Sequence, residues 1–252
     1  MPARYVINLA LVVGFYFLLT GLISSGIITN YWTGILITVG INIILAVSLN
    51  IATGYLGQLP LGHAGFMAVG AYAGGIFMKA TPAAALLKEG NTAALIPYIL
   101  AAIVISAVVA GIFGVIIGIP ALRLRGDYLA IVTLAFGEII KNLVNVLYIG
   151  KDSNGFHFST KDVMALNMEP DGKVIINGPQ GITGTPKDAT FFIGFILILI
   201  TLFIVLNLIH SRDGRAIMAI RDNRIAAESV GINITKYKLM AFTISAAMAG
   251  AA

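Results

Sequence analysis

The chain has 252 residues, of which 58% are hydrophobic and 11% charged, and its mean hydropathy is +0.95. So few charges cannot clothe the surface of a soluble domain this long, so the composition predicts an integral membrane protein. Cysteine is absent, which removes disulfides and thiolate metal sites, and His63, His157 and His210 are too scattered to hold a metal. The net charge of +5 would suggest nucleic acid in a soluble protein. In a membrane chain the positive bias of cytoplasmic loops accounts for it, and no nucleic-acid partner is expected.

A bilayer core needs roughly 20 apolar residues of helix to cross it. On that measure spans are predicted near 5–28, 32–53, 63–79, 97–119, 128–149 and 190–210, with a seventh starting at 239. The first is too long for a signal-peptide core and lacks an A-x-A-like cleavage site, so it reads as a retained span. Residues 1–252 thus form one transmembrane domain, an all-α polytopic helical bundle. The seventh span stops at Ala252, which leads us to expect a truncated sequence, because a chain ending in hydrocarbon leaves carbonyls unpaired. Orientation follows from arginine. With the N-terminus inside, Arg4, Arg123, Arg125, Arg212, Arg215, Arg221 and Arg224 all fall on the cytoplasmic side, with Lys79 and Lys88 as mild exceptions outside.

Four segments stand out in chain order. In 54–75, GYLGQLPLGHAGFMAVGAYAGG, glycines crowd around Pro60, Gln58 and His63. Two readings remain open. Small residues allow close helix packing, as in the pair Gly70-x-x-x-Gly74. Alternatively, a broken or re-entrant helix near 54–79 exposes backbone groups along a substrate path, with Gly54, Gln58, Gly62, His63, Gly65 and Phe66 beside it. His63 by itself reads as a hydrogen-bonded structural residue. In 123–144, Glu138 lies 13 residues beyond Arg125, about 20 Å deeper along a helix. An acid at that depth must face protein or water. Lys141 follows at i+3 and can pair with it. The pair either stitches helices together or belongs to the substrate path.

The extracytoplasmic segment 150–189 is polar, carries Asp152, Asp162, Glu169, Asp171 and Asp188, and contains the turn-forming run NGPQGITGTP. It forms either a small folded cap or a solvated loop. Residues 211–238 are a charged amphipathic block between two apolar spans. Ile217, Ile220, Ile225 and Val230 recur at helical spacing, which predicts a short surface helix with one apolar face. Gly231 is placed to stop that helix in a left-handed conformation, and Thr235 to cap the next. Such a block suits a cytoplasmic docking element. No G-x-x-x-x-G-K-[ST] phosphate loop, nucleophile elbow or carboxylate cluster occurs, so the chain is expected to have no enzymatic activity and no cofactor, any ATP being hydrolysed elsewhere.

The runs GYLGQLPLGHAGFMAVGAY, RLRGDYLAIVTLAFGEII, NGPQGITG and GRAIMAIRDNRIAAESVGINITKYKLMAF together resemble the LivM-type permeases of bacterial branched-chain amino-acid ABC importers, over nearly the whole chain. The resemblance implies a multi-pass subunit of a prokaryotic plasma membrane, in contact with lipid. It would pair with a homologous second permease, two cytoplasmic ABC ATPase subunits and a periplasmic or lipid-anchored substrate-binding protein. It also implies that 211–238 is the ATPase-coupling segment, because Ala226-Ala227-x-x-x-Gly231 is similar to the E-A-A-x-x-x-G loop of importer permeases. Arg221, Arg224, Ala226, Ala227, Glu228 and Gly231 would then meet the ATPase. Ile225 stands where that pattern has glutamate, and the family's further C-terminal spans are missing. The alternative is an ion-coupled secondary transporter of small organic solutes, with Glu138 carrying the coupling proton.

Overall fold

The computed structural model describes residues 2–81, 92–124, 127–152, 155–168, 172–182 and 191–252. Lys88, Arg125, Glu169, Asp171 and Asp188 lie outside the described residues. The helices are α1 (Pro2–Ser24), α2 (Asn30–Asn50), α3 (His63–Ala80), α4 (Thr92–Ala121), α5 (Asp127–Val146), α6 (Phe191–His210), α7 (Arg212–Asp222), α8 (Arg224–Ser229) and α9 (Ile234–Ala251). A π-helical turn, Ile51–Tyr55, prolongs α2. Among the described residues four helices are long and apolar enough to cross a membrane: Asn30–Tyr55, Leu95–Ala121, Tyr128–Val146 and Phe191–His210. The all-helical membrane bundle expected from composition is what the chain forms.

α9 lies at the centre of the bundle, packed on α2, α3 and α4. Its residues Ala241, Phe242, Ser245, Ala246, Ala249 and Gly250 are all buried. The small side chains explain the position, since without a hydrophobic drive between apolar helices, close backbone approach supplies the contact. The α3–α9 crossing shows this most directly. A methyl group on Gly70 would fall on the Gly250 backbone, with the carbonyl carbon 2.6 Å away. The packing role suggested for Gly70 is therefore real.

α6 and α4 instead turn apolar faces outward. Leu199, Ile200, Phe203 and Leu206 on α6 and Leu100, Val104, Val108 and Ile112 on α4 are exposed, as helices bordering hydrocarbon require.

After α5 the chain forms strands. β1 (Tyr148–Asp152), β2 (Gly155–Ser159) and β3 (Lys173–Asn177) make an antiparallel sheet in the order β2-β1-β3. Ile149, Ile175 and Ile176 bury against Tyr72 and Ile76 of α3. Two lysines fasten the sheet to the end of that helix. Lys79 Nζ donates to the carbonyls of Val174 and Ile175 at 3.2 and 3.4 Å, and Lys151 Nζ to that of Ala80 at 2.8 Å. His157 Nε2 lies 2.9 Å from the buried Asp152 carboxylate. The described part of the segment is a folded cap seated on the bundle.

Candidate functional site

The glycine-rich stretch breaks the helical run at a defined place. Leu56 N–H reaches back five residues to Ile51 O at 3.1 Å, the bond of a π turn. Gly57 then adopts φ +72°, and Gln58 N–H closes onto Ala52 O at 2.9 Å. Residues 56–62 carry no helix, and α3 starts at His63 and continues unbroken to Ala80. The break therefore lies in the link between α2 and α3, not within the second helix.

That link is gripped from two sides. Leu61 N–H donates to Thr133 Oγ1 of α5 at 3.1 Å, and Gly62 packs so closely on the Thr133 backbone that a Cβ would have its carbonyl carbon 2.6 Å away. On the other side, Arg221 Nη1 of α7 donates to Gly54 O at 2.9 Å, while its Nε and Nη2 hold Asp222 at 3.0 and 2.8 Å. A Cβ on Gly57 would meet Arg221 Cγ at 2.7 Å. The structure thus joins two segments that sequence reading kept apart, the glycine-rich link and the charged block 211–238. Arg221, expected to face a partner, turns towards its own chain.

The remaining path candidates separate. His63 Nε2 lies 2.8 Å from Ser48 Oγ, and Ser245 Oγ donates to Ser48 O at 2.7 Å, a buried polar knot tying α2, α3 and α9. That geometry fits the structural role expected for His63. Phe66 is 3% exposed and packs edge-on against Phe242 with ring centroids 5.4 Å apart, so it is core. Gly65 abuts Gly137 and Ile140 of α5. Gln58 Oε1 is buried without a hydrogen-bond partner. None of these residues lines the open pocket of about 510 Å³ bordered in part by Ile41, Met67, Gly74, Ile103, Ser106 and Leu197. Sequence reading missed Thr133, Ser48 and Ser245; lone hydroxyls in apolar helices give no spacing that predicts which neighbour they will meet.

Glu138 behaves differently. Lys141 Nζ is 3.3 Å from its carboxylate, the i+3 pairing the spacing predicts, yet their side chains are 57% and 64% exposed. They point away from the bundle, not into it. An isolated charge facing lipid at mid-helix costs about 3 kcal/mol.

The charged block 211–238 opens with two helices, not one. Ser211 caps α7 by accepting from Gly214 N–H. At Asn223 the backbone turns extended, φ −154° and ψ 105°, and its Oδ1 accepts from Ile225 and Ala226 N–H to start α8. The break re-aims the apolar residues. Ile217 and Ile220 pack into a core with Leu56, Val205 and Met248, whereas Ile225 and Val230 are 81% and 76% exposed. The single apolar face expected for all four does not form. Ala227 is buried, and Arg224, Ala226 and Glu228 are exposed beside Ile225. Gly231 ends the unit at φ +86°, with Ile232 N–H on Ala227 O at 3.0 Å, as its position predicts. Asn233, not Thr235, caps α9, its side chain accepting from Lys236 N–H at 3.0 Å. A basic cleft of about 300 Å³ beneath α8 is lined in part by Arg123, Arg224 and Lys238.

Comparison with known proteins fits this arrangement to a lineage. The profile of the family described as branched-chain amino acid transport system / permease component matches residues 31–252. The chain is similar to the high-affinity branched-chain amino acid transport system permease protein LivM of Salmonella typhimurium, 34% identical over 90% of this chain and 50% of the relative. It is likewise similar to LivM of Escherichia coli, 34% identical over 86% of this chain and 48% of that protein. The chain thus spans about half the length of the curated relatives it matches. No solved structure matches it. A profile match over most of the sequence, on apolar spans joined by a capped helix pair, identifies this chain as a member of the branched-chain amino acid transport permease family.

Proposed function

We propose that the chain is a membrane permease subunit of an ATP-driven importer of branched-chain amino acids, its N-terminus in the cytoplasm of a prokaryotic cell. Its companions would be a homologous second permease, cytoplasmic ABC ATPases and an external binding protein that supplies selectivity. The observation that carries this reading is the α7–α8 unit. It presents Arg224, Ile225, Ala226, Glu228 and Val230 outward from a pair of capped helices closed by Gly231. An exposed patch mixing isoleucine, valine and charge on an otherwise anchored helix suits a partner surface.

Behind the patch, Arg221 ties α7 to the α2–α3 link, and that link rests on α5 through Thr133. A displacement of α7–α8 would therefore reach α2, α3 and α5 as a rigid-body shift. In the proposed path, Gly54 and Gly62 provide the contact points of this linkage, and Glu138 faces the passage. The ion-coupled alternative gains nothing from the geometry. The carboxylate such a carrier would protonate, Glu138, is already paired with the ammonium of Lys141.

The test is assembly. Co-expression with the ATPase and second-permease genes of the same cluster should yield a stable complex whose ATP hydrolysis rises with the loaded binding protein. A chain that purifies alone and moves substrate on a proton gradient would refute the proposal.

A further inference from the structure

The pockets of this chain differ in what lines them. The one walled chiefly by α3, α4 and α6 and the one walled by α1, α2 and α6 carry no charged side chain among their described lining residues. The cleft of about 300 Å³ between the end of α4, the start of α8 and the first turns of α9 is of another kind. Arg123, Arg224 and Lys238 line it, and none of its described lining residues is acidic. The fold fixes each cation there. The apolar run of α4 ends at Ala121, so Arg123 sits where hydrocarbon gives way to headgroups. Arg224 is the first residue of α8 and follows directly on the Asn223 cap. Lys238 is 7% exposed, a side chain drawn into the bundle and not left to reach out to water. α9 itself begins in the cleft, at Ile234, and adds the positive end of its helix dipole. A concave site of this charge concentrates anions.

The surface below the cleft selects among them. Ile119 lines the cleft and is exposed, and Ile116, Ile112 and Val108 continue from it along one exposed side of α4. From Ile119 to Val108 the helix falls about 16 Å, the depth of one leaflet of hydrocarbon. A phosphate carrying acyl chains fits both parts. Its oxygens accept from the guanidinium forks of Arg123 and Arg224, and its chains lie on the isoleucines. A free phosphate would leave the apolar stripe unused, and an acidic peptide lying along it would strand its own backbone in lipid. We infer that the cleft is a specific site for the headgroup of an anionic phospholipid, drawn from the leaflet on the α8 side of the membrane. Because Arg224 opens α8, an occupied cleft ties that helix to α4 and α9 and makes its position depend on the charge of the surrounding lipid. Such a site requires only that the spans cross a bilayer, whatever solute they carry.

The test places the full permease, with and without its ATPase subunits, in phosphatidylcholine nanodiscs containing a phosphatidylglycerol with a photoactivatable headgroup. Adducts should map to Arg123, Arg224 and the first turns of α9 in both preparations. Excess unlabelled phosphatidylglycerol should suppress them, whereas phosphatidylcholine, or inorganic phosphate at matched ionic strength, should not. Replacing both Arg123 and Arg224 by glutamine should reduce the adducts roughly 25-fold, about fivefold for each charge. Replacing both by lysine should preserve the preference for anionic lipid. Thr235→Glu sets a carboxylate in the cleft, in the first turn of α9 where an acid is tolerated, and should reduce the adducts about fivefold without unfolding the chain. Its result therefore decides the matter should the double glutamine variant fail to fold. Adducts that persist in Thr235→Glu, or that phosphatidylcholine suppresses equally, would mark ordinary boundary lipid and overturn the inference. Suppression by inorganic phosphate would reassign the cleft to a free anion. Adducts formed by the permease alone but abolished by the ATPases would reassign it to the protein partner.

Discussion

Arg221→Ala probes the link between the α7–α8 pair and the membrane core. The side chain makes one charge-assisted hydrogen bond across the junction, to Gly54 O at 2.9 Å, and fills the space against Gly57. A hydrogen bond from a charged group contributes about 1.5–3 kcal/mol when shielded from water. With Arg221 42% exposed, water competes, and about 1 kcal/mol is the fitting figure. That corresponds to roughly a fivefold loss in whatever equilibrium the contact biases. Folding should survive, because α7 keeps its Ser211 cap and the buried Ile217 and Ile220. The assay is leucine transported per ATP hydrolysed in proteoliposomes, alongside size-exclusion analysis of the complex. We expect assembly to persist and the ratio to fall about fivefold. Gly57→Ala, which strains a φ of +72° and presses on Arg221 Cγ, should act on the same contact, so the double variant should be less than additive. An unchanged ratio in Arg221→Ala would refute the linkage. Loss of the complex would assign the arginine to docking instead.

Other perturbations separate the remaining roles. Gly70→Val forces α3 and α9 apart at the Gly250 backbone and should cost about 1–3 kcal/mol, read as a lower melting temperature of the detergent-solubilised protein; an unchanged melting temperature would contradict the close crossing. Gly231→Val meets no neighbouring atom but strains a left-handed φ of +86°, about 1–2 kcal/mol, and should weaken ATPase binding without impairing membrane insertion, whereas Gly231→Asn should be milder. Asn223→Ala removes the cap of α8 at a cost near 1 kcal/mol and should raise protease sensitivity around 224–230. Lys79→Ala should release the sheet from α3, seen as faster amide exchange in Lys173–Asn177, with the helices unaffected.

The four long apolar spans were legible because apolar length is a strong signal, and the helix stop at Gly231 because few residues other than glycine take φ +86°. The folded nature of the cap was not, since its strands are five residues each and their register depends on pairing between segments far apart. Helical periodicity joined Ile217 to Val230, but Asn223 offered its own backbone a competing capping geometry and split the helix there. By the same chemistry Asn233 displaced Thr235 as the cap of α9. Glu138 and Lys141 were paired correctly by spacing, while the direction they face depends on which side of α5 meets α3. The contact of Arg221 with Gly54 spans 167 residues, beyond the reach of any local pattern.

The central claim is that movement of substrate through this chain is powered through the α7–α8 unit by nucleotide hydrolysis. Uptake of radiolabelled leucine into proteoliposomes containing the assembled complex and its binding protein measures it directly. We predict accumulation that requires ATP on the side of α8, ignores an imposed proton gradient and is lost when the exposed Ile225 and Val230 are both replaced by aspartate. Accumulation driven by the gradient without ATP, or undiminished in that double variant, would contradict the account.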